Sequence, residues 1–188
     1  CEQKAQQAES NQAESKPKIA LIMKSLANEF FVNMNKAASA HQLTHADRYQ
    51  LISNGIKNES DLAQQVNLIY QMIAMQVDAI IICPADSKAL VPALAKARDA
   101  GITIVNIDNR LSAEVLAEFN LAIPFIGPSN EDGAKQVADF TVKGLPKGTQ
   151  VAILEGISTA TNSIERRTGF EKSVRAAGLE LVTIQSAS

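Results

Sequence analysis

Polar side chains able to recognise a small molecule collect in four short stretches of this 188-residue chain, each directly after an apolar run. They are Lys24-Ser25-Leu26-Ala27-Asn28-Glu29-Phe30-Phe31, Pro84-Ala85-Asp86-Ser87, Asp108-Asn109-Arg110, and Ile157-Ser158-Thr159-Ala160-Thr161-Asn162 leading to Arg166. Asp and Asn accept from or donate to adjacent hydroxyls, and Arg presents a planar fork of donors. An aromatic face can cover the C–H face of a ring while the hydroxyls point elsewhere. Such chemistry suits a neutral polyol. Plainer readings stand beside it. Phe31 equally suits a core contact under a helix start, Phe30 less so, because adjacent helical positions cannot both face the core. Asp108 next to Asn109 also fits an ordinary turn, and one of Arg166 and Arg167 is expected to be a solvated charge.

Catalytic readings find little. The chain has no G-x-G-x-x-G, no G-x-x-x-x-G-K-[ST] and no G-x-S-x-G. His41 and His45 share a helix face, but HQLTH lacks the Glu of H-E-x-x-H, and two surface histidines is the better reading. The strand-end stretches contain no histidine to pair with a nucleophile. No enzyme activity, cofactor or metal is expected. Asn58-Glu59-Ser60 matches a glycosylation sequon, but helix capping explains it better.

The elements that must position these stretches are legible. KIALIM (18–23), YQLIS (49–53), DAIIIC (78–83), ITIVNI (102–107), VAILEG (151–156) and LELVTI (179–184) read as strands, with PFIG (124–127) as a short strand or crossover. Near-continuous apolar runs suit parallel strands covered on both faces, and the first three begin about one βαβ unit apart. Helices fill the gaps over 30–46, 59–76, 131–143 and 162–177. Leu62, Val66, Ile69 and Ile73 line one face of the second, with Asn58 and Asp61 as its cap. Ser87 caps the next, which turns Leu90, Leu94 and Ala97 inward and stops near Gly101. The fold class is α/β with doubly wound parallel sheets, divided into lobes over 18–127 and 128–188. Ligands on such sheets bind beyond the carboxyl ends of the strands, where the polar stretches lie.

Eighteen Lys+Arg against twenty Asp+Glu leave no cationic excess for a nucleic-acid partner. The most apolar run, Ala79 to Cys83, is far short of the roughly 20 residues that span a bilayer. Two cysteines exclude a disulfide framework. Cys83 reads as a small buried hydrophobe. Cys1 opens a segment, 1–17, without Leu, Ile, Val, Phe or Met, which reads as the flexible tether of a lipoprotein acylated at Cys1.

Taken in order, SLANEFFVNM, VDAIIICPADSKAL, AGITIVNIDNRL, FIGPSNEDGAKQVADF and VAILEGISTATNSIERRTGF resemble the periplasmic sugar-binding proteins of ABC transporters. The likeness is to the ribose/galactose type, related to the sugar-sensing domains of LacI-like repressors, and covers roughly residues 18–188. It implies a two-lobed type I receptor that closes on a monosaccharide and hands it to an ABC transporter permease, in the periplasm or cell envelope. It implies Asn28, Phe30 and Phe31 after the first strand, Asp108 and Asn109 after the fourth, and Arg166 from the second lobe as ligand contacts. Glu29 replaces a Pro of that family, Asn109 an Arg, and Cys83 a sugar-contacting Asn. These departures leave the sugar class, rather than ribose itself, as the expectation. Family members continue through further second-lobe units, so the second lobe is expected to be incomplete here. The alternatives are a receptor for a sugar-like signal and the effector-binding domain of a LacI-type regulator.

Overall fold

The computed structural model describes residues 16–186. Cys1 and nearly all of the expected tether lie outside the described residues; at Lys16 the chain is already held, its Nζ donating to the Ala46 carbonyl at 2.8 Å. The elements follow in strict alternation: β1 (Lys18–Met23), α1 (Glu29–Thr44), β2 (Gln50–Gly55), α2 (Leu62–Ala74), β3 (Ala79–Ile82), α3 (Val91–Asp99), β4 (Thr103–Ile107), α4 (Ala113–Glu118) and β5 (Phe125–Ile126). Then come α5 (Asn130–Thr141), β6 (Gln150–Glu155), α6 (Thr161–Ala176) and β7 (Glu180–Ser186). The first five strands form one parallel sheet in the order β2-β1-β3-β4-β5, and β6 pairs with β7 in a second parallel sheet.

The apolar strands have a simple cause. Ala20 and Ile22 of β1 join Ile80 and Ile82 of β3 in a core under α2 and α3. Leu21 and Met23 point the other way, into a smaller cluster with Phe31 of α1 and Cys83. Helices on both faces leave neither side of these strands polar, which is the doubly wound arrangement expected. Strand order reverses between β1 and β3, the place where such sheets open a crevice. The loops after β1, β3 and β4 surround it.

Two capping expectations are corrected. α2 is capped by Asp61, whose carboxylate accepts from Gln64 N, while Asn58 folds onto Ser60 N one turn earlier. α3 starts at Val91, after a turn held by Asp86, whose Oδ1 accepts from Lys88 N and Ala89 N at 2.8 Å. Asp86 lies one residue before Ser87 and carries the stronger acceptor, so Ser87 is left for another partner. The inward face of α2 is also rotated: Gln65, Leu68, Ile69 and Met72 are buried, with Leu62, Val66 and Ile73 on its margins.

α5 and α6 pack closely in the second part. A Cβ on Gly169 would stand 2.4 Å from the Glu131 carbonyl oxygen, so only glycine permits that approach. Ser173 Oγ donates to Asp139 Oδ1 at 2.6 Å across the same contact.

A candidate ligand site at the carboxyl ends of the strands

Apolar β1 delivers Lys24 to the end of the sheet, where it is 5% exposed. Its ammonium lies 3.7 Å from Asp108 Oδ2, 3.8 Å from Glu59 Oε2 and 5.1 Å from the centre of the Phe31 ring. A buried cation requires such company, because an unpaired one carries a large desolvation penalty. Asp108 directly follows β4 in a left-handed conformation, φ +61°, which an aspartate tolerates better than most residues. Cys83 Sγ, 3.4 Å away, donates to the same carboxylate oxygen. Burial first, and the Asp108 carboxylate second, push the Cys83 thiol well above its ordinary pKa of 9.0. Cys83 is fully buried, as the sequence led us to expect.

Beside this group, Asn28 caps α1: its Oδ1 accepts from Phe30 N at 2.9 Å. Phe30 stands 56% exposed, edge-on to Phe31 with ring centres 5.1 Å apart. Phe31 itself is in the core, as the plainer reading of that residue allowed. Asn109 is fully buried, and both ends of its amide are engaged: Nδ2 donates to the Pro84 carbonyl and Oδ1 accepts from Asn162 N. In this conformation it offers nothing to a ligand. Lys24 and the Phe31 ring thus join Asp108 to the α1 start that carries Asn28 and Phe30.

Arg166 sits apart from that group on α6, exposed, its Nε donating to Asn130 Oδ1 at 2.9 Å. The first turn of α6 nevertheless meets the strand-end loops. Thr161 binds Ser87, Asn162 binds Asn109, and Arg110 stacks 4.0 Å over the Phe125 ring while pairing with Glu165 at 3.7 Å. Arg167 is not a free charge: it pairs with Glu155 at 2.9 Å and Glu171 at 3.3 Å.

Three polar residues that organise the site carry no motif signal in the sequence. Lys24 reads there as one residue of a loop. Gln65, fully buried, donates to the Cys83 carbonyl at 2.8 Å and accepts from Ala85 N at 2.9 Å, holding the turn after β3. Asn106 donates to the Asn109 carbonyl and accepts from Leu111 N, closing the turn around Asp108. A signal existed for Gln65, which lies three residues after Leu62 on the apolar side of α2. Among the described residues no group of three His, Cys, Asp or Glu is arranged to hold a metal ion.

A parallel α/β sheet with polar loops at its switch point defines a class shared by many proteins of unrelated function. The chain belongs to the periplasmic binding protein family: the periplasmic binding protein domain matches residues 19–187. It is 52% identical over 171 residues to the D-ribose/D-allose-binding protein of Pseudomonas aeruginosa, covering 91% of this chain and 54% of that protein. Among solved structures, the solute-binding protein of an ABC transporter from Burkholderia multivorans superposes with a TM-score of 0.88 at 52% identity, covering 92% of this chain and 61% of that one. One from Actinobacillus succinogenes with bound D-allose superposes with a TM-score of 0.80 at 36% identity, covering 92% and 59%. The chain therefore spans little more than half the length of these relatives.

Proposed function

We propose that this chain carries the first lobe and the beginning of the second lobe of a periplasmic receptor that captures a monosaccharide for an ABC transporter permease. The lobes are residues 18–127 and 128–188, and the sugar lies between them. The observation that carries this reading is the Lys24–Asp108 pair, held at the carboxyl edge of the sheet beside an exposed Phe30. An oriented carboxylate, a cation and an aromatic face are what a ring of hydroxyls and C–H groups requires. Asp108 and Asn28 face the hydroxyls, Phe30 covers the ring, and Arg166 approaches from α6. Relatives named for ribose and allose support the sugar class over the effector domain of a LacI-type regulator. The protein acts in the periplasm, anchored by acyl chains on Cys1; two chains give stable anchoring where one gives marginal binding. Intact mass of the native protein tests the anchor, and an unmodified Cys1 would refute it.

The chain contains no Trp, so calorimetry is the direct test of binding. Titration with D-ribose, D-allose, galactose, glucose, xylose and arabinose should show at least one binding at about millimolar strength, near −4 kcal/mol. Weak binding is expected because the second-lobe contact assigned to the sugar, Arg166, sits apart from the Lys24–Asp108 group, and hydroxyls left in water gain little from protein partners. Absence of heat with every sugar at tens of millimolar would sink the sugar reading.

A further inference from the structure

α6 begins without a cap of its own. Ala160 occupies the capping position and has no side-chain acceptor. The first amides of a helix have no partner within it, and a neighbouring Ser, Thr, Asp or Asn ordinarily accepts from them. Asn28, Asp61 and Ser129 do this for α1, α2 and α5. In α6 the acceptors come from far along the chain. Thr161 N and Thr161 Oγ1 both donate to Ser87 Oγ, at 2.9 and 2.7 Å, and Asn162 N donates to Asn109 Oδ1 at 3.2 Å. Ser87 is 1% exposed and Asn109 fully buried. Both follow strands of the five-stranded sheet, whereas α6 packs on β6 and β7 of the other.

We propose that Ser87 and Asn109 form a split helix cap, a latch that holds α6, and with it Arg166, against the strand-end loops. The inference rests on the two-lobed reading above. When the two parts separate, the amides of Thr161 and Asn162 exchange their caps for water. Each exchange is nearly balanced, so the latch is reversible rather than rigid. Alanine at position 160 matters for the same reason: a local cap would satisfy the helix in both states and uncouple it from closure. Ser87 and Asn109 are therefore positioning residues for the contact between the two parts.

Amide hydrogen exchange by NMR on the sugar-free 188-residue chain tests the latch. Thr161 and Asn162 should be protected. Ser87→Ala should lower protection at Thr161 roughly fivefold to tenfold, and Asn109→Ala should do the same at Asn162, while β6, β7 and α5 are unchanged. Asn109→Asp, which keeps the acceptor, should retain protection. Adding Ala160→Ser to Asn109→Ala should restore it by supplying a local cap. Unprotected amides at 161 and 162 in the parent, losses spread evenly through β3, β4 and α6, or no restoration by Ala160→Ser would each overturn the proposal. D-ribose and D-allose added to the parent should raise protection at both amides. Intact caps that respond to no sugar would count against the sugar reading while leaving the split cap in place.

Discussion

Lys24 and Asp108 each make the other tolerable at the end of the sheet. Asp108→Ala leaves the Lys24 ammonium with Glu59, 3.8 Å away, as its remaining carboxylate. We expect a loss of about 1–3 kcal/mol in urea unfolding, short of the full penalty for a severed buried pair because the Asp108 side chain is partly solvated. Asp108→Asn keeps the shape and should weaken sugar binding by about one to two decades through loss of a charged hydrogen bond. Phe30→Ala should weaken binding while leaving the unfolding midpoint unchanged, since Phe30 stands largely in water; a matching fall in stability would reassign Phe30 to the core. Cys83 allows a test by pH. Its pKa is raised in the folded chain, so below pH 9 both folded and unfolded forms hold the proton and its contribution is fully present. Above pH 9 the unfolded thiol ionises and the folded one does not, so this contribution is lost as pH rises. Cys83→Ala should flatten the decline in stability between pH 9 and 10.5, and an unaltered slope would remove Cys83 as its cause.

At the scale of elements, two glycines in the α5–α6 pair make opposite predictions. Gly169→Ala places a Cβ 2.4 Å from the Glu131 carbonyl oxygen and 2.8 Å from Lys135 N, so the helices must part. The cost should be about 1–3 kcal/mol. Gly133 lies within α5 with open space around it, and Gly133→Ala should stabilise by up to about 1 kcal/mol through helix propensity. Thermal unfolding of the two variants decides both, and equal shifts would mean that α5 and α6 do not meet as described. Gln65→Leu belongs with them. It removes the partners of the Cys83 carbonyl and Ala85 N, and should cost about 1–3 kcal/mol despite the added apolar volume.

Across the whole molecule, the five-stranded sheet is covered unevenly. α2 and α3 shield one face, while the other has α1 and, beside it, an apolar groove of about 440 Å³ lined by Leu21, Met34, Ala38, Tyr49, Leu51 and Ile81. Exposed apolar surface of this kind binds dyes. The 188-residue chain should raise the fluorescence of anilinonaphthalene sulfonate, and Met34→Lys should abolish most of that gain. A dark parent chain would show the groove to be closed in solution.

Local pattern along the chain encodes part of this molecule. Apolar runs such as KIALIM and DAIIIC can be buried on both faces only between helices, so β1, β3 and the doubly wound class were legible from it. The same holds for the placing of Asn28, Phe30 and Asp108 just after strands or at a helix start, and of Arg166 on the helix that follows β6. Which side chains at those places are free depends on contacts made only in the folded chain. Phe31 and Asn109 stand beside Phe30 and Asp108 in the chain, yet the helix turns one inward and the contact with α6 buries the other. Lys24, Gln65 and Ser87 are polar residues with no local partner, and their roles come from groups 18 to 84 positions away. A hydrogen bond acts over about 3 Å, and only the folded chain brings such groups that close.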